Sequence, residues 1–144
     1  MTHVRQGLTA MFAVVTVIAG AARGETPEQI ARAYEAAGAQ QSAPVSAFSA
    51  SRGKVFFQSS HGDEWSCASC HTVDPSGTGR HARTGKAIAP LAPVANAERF
   101  TDFAKVEKWF RRNCNDVLAR PCTPQEKGDV LAYLMHIGRD GSNR

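Results

Sequence analysis

Cys67-Ala-Ser-Cys70-His71 constrains the fold of this chain more than any other stretch. C-x-x-C-H is the spacing by which two thiols add to the vinyl groups of a haem and the adjacent histidine binds the iron. Two residues between the cysteines let both sulfurs reach neighbouring vinyls on one edge of a porphyrin. The histidine must follow at once for its imidazole to lie under the metal. The same five residues also admit a chance match, a redox dithiol or half of a zinc site. The rest of the chain separates these readings.

The N-terminus reads as an export signal. Arg5 supplies the positive flank, Leu8 to Ala19 is an apolar run of 12, and Ala19-Gly20-Ala21-Ala22 offers small residues for cleavage between Ala21 and Gly24. The alternative is a membrane anchor, but a spanning helix needs about 20 apolar residues. The expectation is therefore a signal over residues 1–23 and a mature domain over 24–144, located in the periplasm and not membrane-spanning. Haem attachment to C-x-x-C-H also takes place outside the cytoplasm in bacteria.

The mature part, about 120 residues, is the size of one small domain, whose core is marginal without help. A haem would enlarge the apolar interior. The four cysteines suggest a second staple: two are used by the motif, leaving Cys114 and Cys122 as an even remainder in an oxidising compartment. A bridge between them would contribute roughly 2–3 kcal/mol on the chain-entropy model; two free thiols are the alternative.

The chain's formal charge is +4; removing Arg5 and Arg23 from 17 Lys and Arg leaves 15 against 13 acidic residues, or +2. That balance argues against a nucleic-acid partner. The charge is uneven, however. Arg80 to Arg112 holds eight basic residues against Glu98, Asp102 and Glu107. A solvated face, a docking surface for an acidic redox partner and a cradle for haem propionates all remain open.

The local patterns are helical. Thr26-Pro27-Glu28-Gln29 is a capping box with proline at the first helical position, predicting a helix to about Ala37. Ala39 to Ser49 reads as a linker, and a second helix spans about Ala50 to Ser59. From the Gly and Asp before Cys67 to Ala97 the chain reads as one long irregular segment, which suggests a cofactor to wrap around. A third helix starts at Thr101 or Asp102 and runs to about Cys114, burying Phe103, Val106 and Phe110. Asn113 falls on that same face and Asn115 on the opposite one. Thr123-Pro124-Gln125-Glu126 opens the last helix, which buries Val130, Leu131, Tyr133, Leu134 and Ile137 and stops at Gly138. No alternating strand pattern is visible. The predicted class is all-α, and the order resembles the class I cytochrome c fold. There an early Gly…aromatic pair, here Gly53 and Phe57, crosses a terminal helix like Asp129-Val-Leu-Ala-Tyr-Leu134.

His71 supplies one axial ligand only. A methionine usually supplies the other in an electron carrier, but Met1 and Met11 lie in the signal and Met135 lies inside the last helix. His61, His81, Lys86, Asn96, Asn113 and His136 remain. Asn113 stands out as a polar group ending an apolar stripe, although a helix-terminal asparagine bonding backbone carbonyls would look the same.

Thr84-Gly-Lys-Ala-Ile-Ala-Pro-Leu-Ala-Pro93, Arg99-Phe-Thr-Asp102, Val106-Glu-Lys-Trp109, Arg112-Asn-Cys-Asn115 and Cys122-Thr-Pro-x-Glu-Lys127 resemble the sphaeroides haem protein family. These are small monohaem bacterial cytochromes c. The resemblance runs from about Gly24 to the end of the last helix and is densest from Arg83 to Leu134. It implies one covalent haem c on Cys67 and Cys70, His71 as proximal ligand and Asn113 as distal ligand in the oxidised state. It also implies a Cys114–Cys122 disulfide. Its implied partners are a dihaem cytochrome c and a membrane b-type cytochrome as electron donors, and the diatomic gases O2, NO and CO as ligands. The chain departs from the family by a few residues past Gly138. The Lys86 to Pro93 segment is expected to cover one haem face and to offer His71 Nδ1 a carbonyl.

An amide oxygen is a hard, neutral, weak ligand that suits ferric better than ferrous iron. The expected function is thus a periplasmic, monomeric cytochrome c that binds gas once reduction releases Asn113. A plain electron carrier and an O2- or NO-reactive oxidoreductase are the rivals. A zinc module on Cys67, Cys70, Cys114 and Cys122 is a distant third.

Overall fold

A computed structural model describes residues 24–41, 45–62 and 64–139. The signal segment, 1–23, and residues 140–144 lie outside the described residues. Five helices carry the fold: α1 (Pro27–Gln40), α2 (Ala50–Gln58), α3 (Cys67–His71), α4 (Phe103–Leu118) and α5 (Pro124–His136). An antiparallel pair, β1 (Gly79–Arg80) and β2 (Ala87–Ile88), joins Gly79 to Ile88 and Arg80 to Ala87. This pair corrects the expectation of no strand: two residues per strand are too few to show alternation.

The caps act where the sequence places them. Thr26 and Thr123 each close a full capping box, with proline in the first turn. Of the two candidates for starting α4, Asp102 is the cap, its Oδ1 accepting from the Lys105 backbone N–H at 2.9 Å. Two ends differ from expectation. Helix α1 continues to Gln40, with Gly38 buried on its inner face. Helix α4 runs past Cys114 to Leu118, because Val117 extends its buried stripe and Ala119, in the left-handed conformation, ends it.

The core forms where α1 and α2 pack on α5. Ile30, Tyr34, Phe57, Leu131 and Leu134 are almost wholly buried there, each worth roughly 1.5–3 kcal/mol for an aliphatic or Phe side chain. At the α2–α5 crossing a side chain on Gly53 would put its Cβ 1.9 Å from the Asp129 carbonyl oxygen. Only glycine permits that approach. Phe57 and Tyr133 meet just beyond, ring centroids 5.6 Å apart, so the predicted crossing pair is in place. Asp129 is a buried carboxylate, and burying it is tolerable only with partners. Arg52 Nε and Nη2 and the Ser49 backbone N–H supply them at 2.7–2.9 Å.

The stretch read as a linker is partly bound. The Phe48 ring occupies the space a Cβ on Gly128 would need, and Ser46 bonds Gln125. Helix α4 is tied to the core by Glu107, which accepts from Tyr34 Oη at 2.9 Å and from Lys127 Nζ at 2.8 Å. Phe103 and Phe110 contact the Tyr34 ring at 5.7 and 6.1 Å. Cys114 and Cys122 are disulfide-bonded, their Cα atoms 5.6 Å apart. The bond ties α4 to the segment entering α5.

Candidate functional site

The C-x-x-C-H segment is a short helix rather than part of an irregular loop. Ser66 and Ser69 form a capping box around its start. At about 100° per residue, Cys67, Cys70 and His71 then share one side of α3. Both thiols are free. Burial pushes the Cys67 thiol up to about 11. A dithiol redox catalyst needs a thiolate near neutral pH, so this environment disfavours the redox-pair reading. A zinc module is disfavoured too, since Cys114 and Cys122 are bonded to each other. Among the described residues no cluster of three or more His, Cys, Asp or Glu could hold a metal. Two thiols and one imidazole on a single helical face do fit a haem attached through thioethers.

His71 is held neutral. Burial, reinforced by the nearby Arg99 cation, pushes its imidazole down to about 4, leaving a ring nitrogen available to a metal at physiological pH. The Phe57 ring stands beside it, centroids 6.3 Å apart. Directly after His71 the backbone turns sharply. Thr72 adopts φ 64°, a strained conformation for a β-branched residue. Gly79 then passes so close to α3 that a Cβ there would lie 2.3 Å from the Cys70 carbonyl oxygen. The β1–β2 ladder grows from this contact.

The 86–93 segment is braced from below. Leu91 and Ala92 donate backbone N–H groups to the Pro75 carbonyl at 2.8 and 2.9 Å. Arg99 donates to the Ala89 and Pro90 carbonyls at 2.7 and 2.9 Å, and Asn96 Nδ2 also donates to Pro90. Those two carbonyls are thus engaged by Arg99 and Asn96, and among the described residues His71 has no carbonyl partner. Sequence reading counted Arg99 only as one more surface cation. Its neighbours along the chain carry no signal that it turns inward.

The candidate second ligands separate clearly. His61 donates Nε2–H to the Phe56 carbonyl at 2.8 Å and stacks on the Phe56 ring. His81 Nδ1 accepts from the Arg83 and Thr84 backbone at 3.3 Å. Both ends of the Asn96 amide are engaged, Nδ2 with Pro90 and Oδ1 with the Glu98 N–H. Lys86 and His136 are exposed, and Met135 packs half-buried against the core. Asn113 is half-buried one residue before bridged Cys114. Around α4 it lies beside Val106 and Phe110, about 160° from Asn115, which is exposed. Among the described residues the Asn113 side chain has no hydrogen-bond partner.

Comparison with known proteins gives the family and the fold. The family "Domain of unknown function (DUF1924)" matches residues 43–134. Cytochrome c-type protein SHP of Cereibacter sphaeroides is 47% identical over 133 residues, covering 88% of this chain and 98% of that protein. Its oxidised structure, that of an oxygen-binding cytochrome c, superimposes with a TM-score of 0.66 at 48% identity, covering 77% of this chain and 96% of that one. Oxidised cytochrome c'' of Methylophilus methylotrophus gives a TM-score of 0.64 at 41% identity, covering 76% and 92%. The solution structure of that cytochrome c'' concerns haem-ligand detachment; it superimposes with a TM-score of 0.62 at 40% identity, covering 76% and 91%.

Proposed function

The chain belongs to the sphaeroides haem protein family of c-type cytochromes and has their all-α fold, and from that premise we propose that it is a periplasmic cytochrome that binds a diatomic gas after one-electron reduction. Cys67 and Cys70 would hold a single haem through thioethers, and that haem would supply a ferric–ferrous couple and a metal able to take O2, NO or CO. His71 is the permanent ligand: its imidazole is neutral, and a neutral ring nitrogen needs no deprotonation to coordinate.

Asn113 is the removable ligand. Its amide oxygen is hard, uncharged and weakly donating, so it would hold an oxidised iron better than a reduced one. The released amide still carries two N–H donors, which can serve a bound gas as distal-pocket donors do. The disulfide at the neighbouring residue fixes the backbone from which Asn113 swings. Arg99 and Asn96 brace the loop that faces His71. The electron comes from a partner haem protein, for which the family suggests a dihaem cytochrome c and a membrane b-type cytochrome.

One observation carries this reading. Among the polar candidates within the fold, Asn113 is the one whose side chain is half-buried on an apolar helix face yet engaged by no neighbour among the described residues. Asn113→Ala should therefore keep the haem attached while turning the ferric centre five-coordinate or water-bound, with a change of spin state in the absorption spectrum. Asn115→Ala should be almost silent. An unchanged ferric spectrum in Asn113→Ala, with a changed one in a His81 or Lys86 variant, would remove Asn113 from the role.

A further inference from the structure

The fold sorts the charges of residues 80–112 in a way the sequence does not reveal. Arg99 turns inward onto the Ala89 and Pro90 carbonyls, and Arg80 donates to the Gly85 carbonyl within its own turn. Of the acids, Glu107 is drawn in by Tyr34 and Lys127, Asp102 caps α4, and Glu98 stays exposed before that helix. The outward face of α4 is left with Lys105, Lys108, Arg111 and Arg112, all exposed.

Two further features give this face a shape. Arg83, Arg111, Arg112 and His81 border an open cavity of about 600 Å3, whose lining contains one acid, Asp116, 3.7 Å from Arg83. A second cavity of about 310 Å3 shares His81, Arg83 and Asp116 and reaches Cys70. One turn before Arg112 on α4, Trp109 is 43% exposed, with the Arg112 guanidinium 5.2 Å from its ring centroid; Arg111 lies on the other side of Arg112, toward the cavity. An exposed Trp–Arg pair is the composition that dominates binding energy at protein interfaces. Unbalanced charge around it steers an oppositely charged partner.

We propose that this cationic face, centred on Arg112, with Trp109 to one side and Arg111 and the notch beside Arg83 to the other, is where the electron donor docks with an acidic surface. A donor carboxylate enters the notch. The proposal rests on the redox reading above and adds the site of electron entry: the notch adjoins the cavity that reaches Cys70, one of the two haem attachment points. The reaction served would be a one-electron transfer from the donor to the haem that Cys67, Cys70 and His71 would hold, with no proton or atom exchanged.

Poly-L-glutamate serves as a model acidic surface. Titrated into the haem-loaded protein and followed by NMR, it should shift the Trp109 indole and the Arg83, Arg111 and Arg112 resonances, and raising the salt should abolish the effect. Arg111→Glu with Arg112→Glu should weaken binding about tenfold or more. Lys105→Glu with Lys108→Glu should weaken it less, and Arg32→Glu on α1 not at all. Oxidation of the ferrous protein gives a second readout: wild type should favour hexacyanoferrate(III), an anion, over tris(phenanthroline)cobalt(III), a cation, and the double variant should reverse that order. Unchanged polyglutamate affinity together with a shifted reduction potential would mean that the arginines serve the haem propionates, and would overturn the proposal. Equal weakening by Arg32→Glu would overturn it as well. Charge-dependent binding without reaction with either reagent would leave the docking face standing and refute the redox reading instead.

Discussion

Where α2 crosses α5, Gly53 lies against the Asp129 carbonyl, Phe57 meets Tyr133, and Leu131 and Leu134 are sealed from solvent. The α3–α4 side is made differently. Cys67, Cys70, His71 and Asn113 are all only half-buried. The first region is fixed by close packing, so any added atom is felt. The second is held at its edges by Gly79 against Cys70, by Arg99 under the 89–90 carbonyls and by the Cys114–Cys122 bond. Rigid borders around half-covered donors are what a cofactor site with a removable ligand requires.

Removing both motif cysteines should break the comparison most severely. Cys67→Ala with Cys70→Ala is expected to give protein without haem that fails to fold, because the α3–α4 side loses what its residues are arranged around. Far-ultraviolet circular dichroism and haem staining of a denaturing gel check this. A compact, helical double variant would show that the core region alone sustains the fold. His71→Gly that kept a histidine-ligated spectrum would likewise remove His71 from the centre.

Gly53→Val attacks the other region. The new side chain must displace a backbone carbonyl, at a cost of about 3 kcal/mol or more. Denaturant unfolding should record that loss, while the ferric spectrum of the surviving folded protein stays as in wild type. A changed spectrum with little loss of stability would mean that the two regions are not separable in this way.

The disulfide sits at their border and should give a smaller effect of both kinds. Cys114→Ser with Cys122→Ser should cost roughly 2–3 kcal/mol on the chain-entropy model and should speed gas binding by loosening Asn113. Thiol labelling of the native protein should find neither cysteine reactive until a reductant is added.

The same division governs what could be read in advance. The caps at Thr26, Asp102 and Thr123 and the helical class of fold were legible, because each depends on neighbours in sequence or on a helical period; the crossing of Gly53 with α5 joins distant residues and was legible only through the resemblance to the class I cytochrome c fold. The Tyr34–Glu107–Lys127 tie, the inward turn of Arg99 and the seat of Phe48 on Gly128 were not. Each joins residues distant in the chain, and none leaves a periodic trace. The end of α4 was placed too early because Ala119, not glycine, takes the left-handed turn. The β1–β2 pair was missed because a close approach at Gly79, not strand propensity, creates it. In the candidate site, the motif cysteines and His71 are the residues that spacing singles out. Asn113 is marked by its place on the α4 stripe, but what sets it apart from Asn96 and His61 is that their hydrogen bonds are made.

The central claim is that reduction frees the sixth position. The most direct measurement is the absorption spectrum of the wild-type protein, oxidised and then reduced anaerobically, before and after addition of CO. The account predicts a six-coordinate ferric form, a five-coordinate high-spin ferrous form, and rapid conversion of the latter by CO to a six-coordinate adduct. A ferrous form that stays six-coordinate and low-spin and ignores CO would contradict it, and would make the protein a plain electron carrier.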